Sequence, residues 1–135
     1  MNVQKKALER QINSEHGINY HRNINLSGFT VYRQSSFISF HFVEVNGINT
    51  VVIDYVYVTN KTAFIKLFSW CINFFAGNNV KFIYLKEHKR QSNVVKKYLS
   101  TAGFTIVESK KPGVWKHPWT STNGFSEDEI LEAYI

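Results

Sequence analysis

The sequence contains very little cysteine or proline: one cysteine and two prolines in 135 residues. A single cysteine, Cys71, excludes an internal disulfide and fits a reducing compartment. The scarcity of proline and an aromatic content of 16% argue against a disordered chain and for a packed core. The first residues also lack the apolar segment of a signal peptide. We therefore expect a single cytoplasmic domain covering residues 1–135.

Signatures of several functional classes are also missing. The sequence has neither a phosphate-binding P-loop nor the Gly-x-Ser-x-Gly turn of the α/β-hydrolases. Its five histidines show no metal-ligand spacing, and one cysteine does not complete a zinc site, so we expect no bound metal. No apolar segment reaches the roughly 20 residues of a membrane-spanning helix, so we expect no membrane span. The preference for Asn, Ile, Lys, Tyr and Phe is typical of AT-rich genomes, which suggests a phage or mobile-element source.

The hydrophobic pattern predicts strands and helices along most of the chain. The clearest signal is Asn46-Gly47 between two long apolar segments, because both positions of a two-residue type I′ turn need φ > 0. The polar stretch 19–27 and the irregular stretch 110–123 are predicted to be loops. In chain order the predicted elements are a helix at Val3–Asn13, strands at Phe29–Tyr32, Phe37–Val45 and Ile48–Val58, a helix at Ala63–Ala76, a strand at Val80–Leu85, a helix at Asn93–Thr101, a strand at Phe104–Val107, and a last helix that opens with the capping box Ser126–Glu129.

The predicted helix Ala63–Ala76 is apolar on nearly every side. Such a helix is either buried in the core or meets a partner with one of its faces. Both interpretations stay open, and the second predicts a homodimer through residues 63–76.

The order of these elements predicts an α/β (α+β) fold. Its mixed central sheet begins with an antiparallel hairpin and carries helices on both faces. The order is similar to that of the GNAT superfamily of N-acetyltransferases. The local resemblance is carried by Val80–Leu85, Asn93 and the helix end from Tyr98 to Gly103-Phe104, and it covers about residues 29–107.

The resemblance implies an N-acyltransferase that uses acetyl-CoA or another acyl-CoA. In the family, a glycine-containing turn after the central strand holds the pyrophosphate with its backbone N–H groups. The corresponding stretch here, 58–64, contains no glycine. The residues implied to contact the cofactor are Val56, Tyr57, Val58, Thr59, Asn60, Lys61, Thr62 and Asn93.

The resemblance also implies catalytic residues. Transfer of an acyl group to an amine needs a proton acceptor near the amine and a proton donor near the leaving thiol. The family's usual acid tyrosine, four residues before the glycine, falls on Leu99, so the neighbouring Tyr98 is the candidate acid. Asp54 and Glu44 are the candidate bases.

A second hypothesis is a non-catalytic module on the same scaffold that contacts nucleic acid or a host protein. From residue 79 to residue 117, nine Lys and Arg stand against two Glu, a local charge of +7 in a chain of net charge +6. A basic stretch attracts phosphates, and it is also the ordinary solvated face of a small domain. The residues assigned to such a surface are Lys86, Lys89, Arg90, Lys96, Lys97, Lys110, Lys111 and Trp115.

Overall fold

One seven-stranded mixed sheet organises the protein, with the strand order β1-β2-β3-β4-β5-β7-β6. The computed structural model describes residues 18–22, 28–45, 47–87, 93–107, 113–118 and 131. The strands are β1 Asn19–Arg22, β2 Gly28–Arg33, β3 Ser36–Val45, β4 Ile48–Tyr57, β5 Phe82–Lys86, β6 Thr105–Ile106 and β7 Val114–Lys116. Strands β4 and β5 are parallel, and the other neighbouring pairs are antiparallel.

The central hairpin forms where the sequence predicts it. Val45 pairs with Ile48 across the two-residue turn, and Gly47 has a φ of 78°, the left-handed conformation that glycine adopts without strain. Strands β2 and β3 are joined by a second short turn, in which Gln34 has a φ of 55°. Two long β-branched and aromatic segments thereby lie side by side, and the rest of the sheet extends from them.

Two strands lie in segments predicted to be loops. The first, β1, forms in the polar stretch 19–27 and pairs along its whole length with β2. The second, β7, forms within 110–123 and pairs with both β5 and β6. The predicted strand Phe104–Val107 is thus reduced to the two residues of β6, which reaches the sheet only through β7. Both predictions of loops were wrong because backbone pairing depends on position in the sheet as well as on composition.

The two described helices are α1, Lys61–Gly77, and α2, Asn93–Thr101. Asn60 caps α1, because its side-chain oxygen accepts a hydrogen bond from the Ala63 N–H at 3.0 Å. The helix ends at Asn78, whose own N–H bonds back to the Phe74 and Phe75 carbonyls. The predicted helix at 3–13 and the predicted capping box at 126–129 lie outside the described residues.

The two described helices cover one face of the sheet, and one described helical residue, Leu131, packs on the other. Both α1 and α2 bury side chains in one cluster with β2, β3 and β4. Strand β5 alternates: Ile83 and Leu85 join that cluster, whereas Phe82 and Tyr84 point to the other face. Leu131, which has helical conformation, is buried there against them. The mixed sheet with an antiparallel hairpin and helical cover confirms the predicted fold class.

Helix α1 is a core helix. Its buried residues are Ala63, Phe64, Leu67, Phe68, Trp70, Cys71, Phe74 and Phe75. Ile65 is the large apolar residue of α1 that stays exposed, at 37%. Most of the apolar surface that suggested a homodimer therefore lies in the core, and the dimer stays a prediction. Of the helices that the structure describes, neither is long and apolar enough to cross a membrane.

A β-bulge and a loss of pairing occur at the same place in β4. Phe40 pairs with Ile53 but Ser39 pairs with Tyr55, so Asp54 is an extra residue in β4. The pairs that β4 forms with β5 run from Thr50 to Ile53 and stop there. Within the described strands, Tyr55, Val56 and Tyr57 pair with β3 alone. Strand β5 ends at Lys86, so β4 has an open edge toward β5 at this end.

We expect the replacement of Gly28 by alanine to destabilise the fold. A Cβ at Gly28 would overlap the Phe40 carbonyl oxygen and approach the Cβ of His41 to 2.7 Å. Moving backbone in a central strand pair to accommodate a methyl group costs about 1–3 kcal/mol. The measurement is the free energy of unfolding in urea.

The matched control is Gly77→Ala at the end of α1. A Cβ at Gly77 would meet no atom within 4 Å, and alanine restricts the unfolded chain, so this variant should gain about 0.4–1 kcal/mol. Equal stabilities for the two variants would contradict the close approach of β2 and β3 at Gly28.

Candidate functional site

The groove that best suits a ligand lies between the N-terminal part of α1 and the length of α2. Because β4 and β5 are parallel, their carboxyl ends lie at the same edge of the sheet, which is where α/β folds bind ligands. The groove has a volume of about 440 Å³, within the usual range for small-molecule sites. Its lining residues are Lys61, Phe64, Ile65, Asn93, Val94, Lys97, Tyr98 and Thr101.

Four polar groups around this groove have no partner in the described part of the chain. The ammonium groups of Lys61 and Lys97, the side-chain amide of Asn93 and the Tyr98 hydroxyl make no hydrogen bond or ion pair with described residues. The neighbouring Lys96, in contrast, forms an ion pair with Glu87 at 2.9 Å. Polar groups that converge on a groove without partners are available to a ligand.

The floor of the groove is apolar and its rim is cationic. The Tyr98 ring is held edge-on or tilted against Phe64 and Phe68, with ring centroids 5.2 and 5.0 Å away. Ile65 and Val94 are each 37% exposed beside it. Among the residues that the structure describes, no acidic one lines the groove, and the first turns of α1 and α2 carry none. The groove therefore suits a ligand with an apolar arm and a negative charge.

The turn that leads into α1 is already hydrogen-bonded within the chain. The fully buried Ser36 Oγ accepts hydrogen bonds from the backbone N–H groups of Thr59, at 3.0 Å, and Asn60, at 3.4 Å. The Thr59 hydroxyl also lies 3.1 Å from the same oxygen. Together with the Asn60 cap, these bonds leave Lys61 and Thr62 as the N–H donors of the first turn without an intrahelical acceptor.

The other residues predicted to bind a cofactor at this turn face different surroundings. Val56 is buried in the core and Val58 packs against its edge. Tyr57 is 47% exposed and stacks on Phe37, with ring centroids 5.4 Å apart. Of the predicted cofactor contacts, the groove therefore brings together Lys61 and Asn93, and it places the predicted acid Tyr98 beside them.

The two candidate bases do not line the groove. Glu44 is exposed and pairs with Asn49 near the hairpin turn. The strand from Asn49 to Tyr57 spans roughly 26 Å, so Glu44 lies at the opposite end of β4 from the groove. Asp54 lies on the face opposite α1, where its Oδ2 is 2.6 Å from the Nδ1 of His41.

Sequence reasoning missed both Ser36 and His41. A signal for His41 existed: without the bulge, the hairpin register would place Asp54 opposite Ser39, one step diagonally from His41 on the same face. For Ser36 there was no such signal, because its contact with Thr59 bridges two separate turns at the same end of the β3–β4 pair.

The structure describes three lysines of the predicted basic surface. Lys96 and Lys97 are exposed on α2, and Lys86 is half-buried in β5. Trp115 is a correction: it is 7% exposed, packs in the core, and its indole N–H donates to Glu87 Oε2 at 3.1 Å. It is therefore not available to stack on a base. Four other residues assigned to this surface lie outside the described residues: Lys89, Arg90, Lys110 and Lys111.

Glu87 links β5, α2 and β7. The hydrogen bonds from the Lys96 ammonium and the Trp115 indole hold the pKa of this carboxyl below its usual value. Cys71 is fully buried, and burial raises the pKa of its thiol, so it is not a nucleophile in this state. The described part of the chain holds no group of three or more His, Cys, Asp or Glu placed to bind a metal ion.

Comparison with known proteins gives distant likenesses in fold among solved structures. No family model matches the sequence, and no curated protein matches it. Among solved structures, the chain is similar to a mutant of the toxin AtaT bound to the C-terminus of the antitoxin AtaR and acetyl-CoA. The two chains are 8% identical with a TM-score of 0.46, over 67% of this chain. The match spans 66% of the toxin chain, just under two thirds of its length.

We expect Ser36→Ala to destabilise the protein by about 1–3 kcal/mol, because it leaves the Thr59 and Asn60 N–H groups without their acceptor. Urea unfolding followed by tryptophan fluorescence measures the change. The control is Ser100→Ala on the exposed side of α2, which should change the free energy of unfolding by less than about 0.5 kcal/mol. Equal effects would show that Ser36 does not hold the turn.

A pH prediction follows from Glu87. Because its folded-state pKa is lowered, its contribution to stability is present above the usual carboxyl range and is lost as the pH falls through that range. At pH 7, Glu87→Gln should cost no more than about 1 kcal/mol, because solvent screens the partly exposed pair. The difference between wild type and variant should shrink between pH 7 and pH 3.5. A difference that stays constant would mean that the carboxylate charge contributes nothing.

Proposed function

We propose that the protein is a GNAT-like N-acyltransferase that binds acetyl-CoA or another acyl-CoA in the groove between α1 and α2. The observation that carries the proposal is a set of four polar groups around an apolar floor, those of Lys61, Asn93, Lys97 and Tyr98, which have no partner among the described residues. The groove lies at the edge where the pairing of β4 with β5 ends, which is the position that the resemblance to the family implies for the cofactor.

The groove fits the chemistry of a CoA thioester in part. Lys61 and Lys97 supply positive charge for phosphate groups, and Phe64, Ile65 and Val94 supply apolar contact for the arm. The turn before α1 does not fit the family's phosphate cradle, because Ser36 already accepts from two of its N–H groups. Phosphate would therefore be held by lysine ammonium groups and by the N–H groups of Lys61 and Thr62.

The chain's own residues have defined roles in this proposal. A bound acyl-CoA supplies an activated acyl thioester, whose transfer to an amine releases a thiolate. Tyr98 holds a proton at its Oη, and Phe64 and Phe68 fix the plane of its ring. It can donate that proton to the departing sulfur. The Asn93 amide, at the start of α2, can donate to a carbonyl oxygen of the arm.

The second candidate is a non-catalytic binding module that contacts nucleic acid or a host protein. The occupied turn at Thr59 and Asn60 favours it, because the part of the site most specific to CoA is already satisfied within the chain. Lys61, Lys96 and Lys97 would then belong to a basic contact surface. A cytoplasmic location is part of both candidates.

The test of the proposed function is a calorimetric and thermal-shift titration with acetyl-CoA and CoA. A ligand that binds the native state alone raises the melting temperature by mass action. The double variant Lys61→Ala/Lys97→Ala should weaken binding about tenfold or more, which corresponds to about 1.4 kcal/mol. The control is Lys81→Ala, an exposed lysine away from the groove, which should bind as wild type does.

Acetyl transfer from acetyl-CoA to a panel of primary amines completes the test. Binding together with transfer supports the proposed enzyme. Binding without transfer leaves a CoA-binding module, and no binding at millimolar concentration removes the proposal. In that last case, salt-dependent binding of DNA or RNA, weakened in the same double variant, would support the second candidate.

A further inference from the structure

A histidine and a carboxylate are paired on the face of the sheet opposite α1. His41 Nδ1 lies 2.6 Å from Asp54 Oδ2, and the two side chains are 16% and 26% exposed. The other ring nitrogen, Nε2, has no hydrogen-bond partner among the residues that the structure describes. A carboxylate on Nδ1 fixes the ring and leaves Nε2 as the nitrogen that exchanges protons with a substrate.

The bulge creates this pair. Because Asp54 is the extra residue of β4, it has no partner of its own on β3 and its side chain reaches the neighbouring His41. On the other side, His41 pairs with Gly28 of β2, which contributes no side chain to this face. The imidazole is therefore held from the β4 side, and the side chain keeps a small exposed fraction of 16%.

The pair also lies where the pairing of β4 with β5 ends. Asp54 directly follows Ile53, the last residue of β4 that pairs with β5. The groove proposed for the acyl donor lies at the same end of β4 on the opposite face. A base here would meet an amine that approaches from the face away from the helices.

We infer that His41 is the general base of the reaction and that Asp54 is its positioning residue; this inference rests on the proposed acyl transfer. The acceptor is a primary amine. Its nitrogen forms a bond to the thioester carbonyl carbon, and its proton passes to His41 Nε2. The carbon–sulfur bond breaks, the electron pair leaves with sulfur, and the thiolate takes a proton from Tyr98.

Aromatic rings beside the pair fit such an acceptor. Phe37 stacks on Tyr55 and on Tyr57, with ring centroids 5.6 and 5.4 Å away, on the same face of the sheet as His41. A protonated amine is attracted to aromatic faces, so these rings can attract the acceptor as an ammonium ion. It releases that proton to solvent and reacts as the neutral amine, and the proton that leaves the nitrogen during transfer passes to His41 Nε2.

The titratable groups that face His41 come from three strands. From β4 they are Asp54 and Tyr55, and from β2 the nearest in register is Tyr32. From β5 the nearest is the buried Tyr84, which pairs with Val52, the β4 partner of His41, and Lys86 follows it on the same face. Of these, Asp54 forms a hydrogen bond with the ring. The pH dependence of transfer should therefore follow His41 and change when Asp54 is replaced.

The experiment compares His41→Gln and Asp54→Asn with wild type in acetyl transfer, acetyl-CoA binding and melting temperature. We expect His41→Gln to lower kcat on the order of 100-fold, to keep acetyl-CoA affinity within threefold and to abolish the acid limb of the pH–rate profile. Asp54→Asn should lower kcat by about tenfold and shift that limb. The control is Lys81→Ala, an exposed residue whose backbone N–H bonds to the Asn49 carbonyl at the hairpin end, which should keep wild-type rates.

A second measurement covers the case in which His41→Gln does not fold. Long-range ¹⁵N NMR of wild type should show His41 protonated at Nδ1 and unprotonated at Nε2, with a titration midpoint that matches the acid limb of the rate profile. A proton on Nε2, or midpoints that differ, would overturn the inference.

The outcomes separate the two proposals. Wild-type transfer that persists within threefold in His41→Gln overturns the base and leaves the acyltransferase standing. Wild type that binds no acetyl-CoA overturns the acyltransferase, and the assignment of the base to that reaction ends with it.

Discussion

One extra residue in β4 determines how the two halves of the sheet relate to each other. Before Asp54, the strand pairs with β3 on one side and with β5 on the other. After Asp54, the register to β3 has shifted by one, and β5 no longer follows. A bulge bends its strand and increases the local twist, and β5 ends at Lys86, one residue after its last pair with β4. The helix starts, the groove between them and the His41–Asp54 pair all lie near this end of β4.

The same end of β4 contains a second constraint, which reduces the number of backbone N–H groups open to an anion at the start of α1. An open helix start attracts anions, and a glycine-containing turn lets them approach the backbone closely. Here a buried serine hydroxyl fills part of that role within the chain, so the turn is ordered without a ligand. The acceptor for two N–H groups is therefore fixed in the fold, and the charge that remains for a ligand sits on flexible lysine side chains. Such a site is easier to adapt to a different anion than a rigid cradle is.

Particular residues show how far the sequence predicts this molecule. Asn46-Gly47 and the apolar run of β4 were readable because each depends on neighbours in the chain. Tyr98 and Asn93 could be placed on α2 for the same reason. The strand at 114–116 and the core position of Trp115 were not readable, because they depend on pairing with β5, some 30 residues away in the sequence. The contact of His41 with Asp54 lay between these cases: the hairpin register brings the two residues near each other, and only the bulge brings them together.

The outer strands of the described sheet affect whether copies of the protein can associate edge to edge. The sheet ends in β1, of four residues, and in β6, of two. An outer strand presents a row of unpaired backbone groups to which another chain can add, and short outer strands limit that row. The long aromatic strands β3 and β4, which would template such addition most strongly, are enclosed between paired neighbours. The arrangement therefore protects the most aggregation-prone segments of the chain from edge-to-edge association for as long as the sheet stays folded.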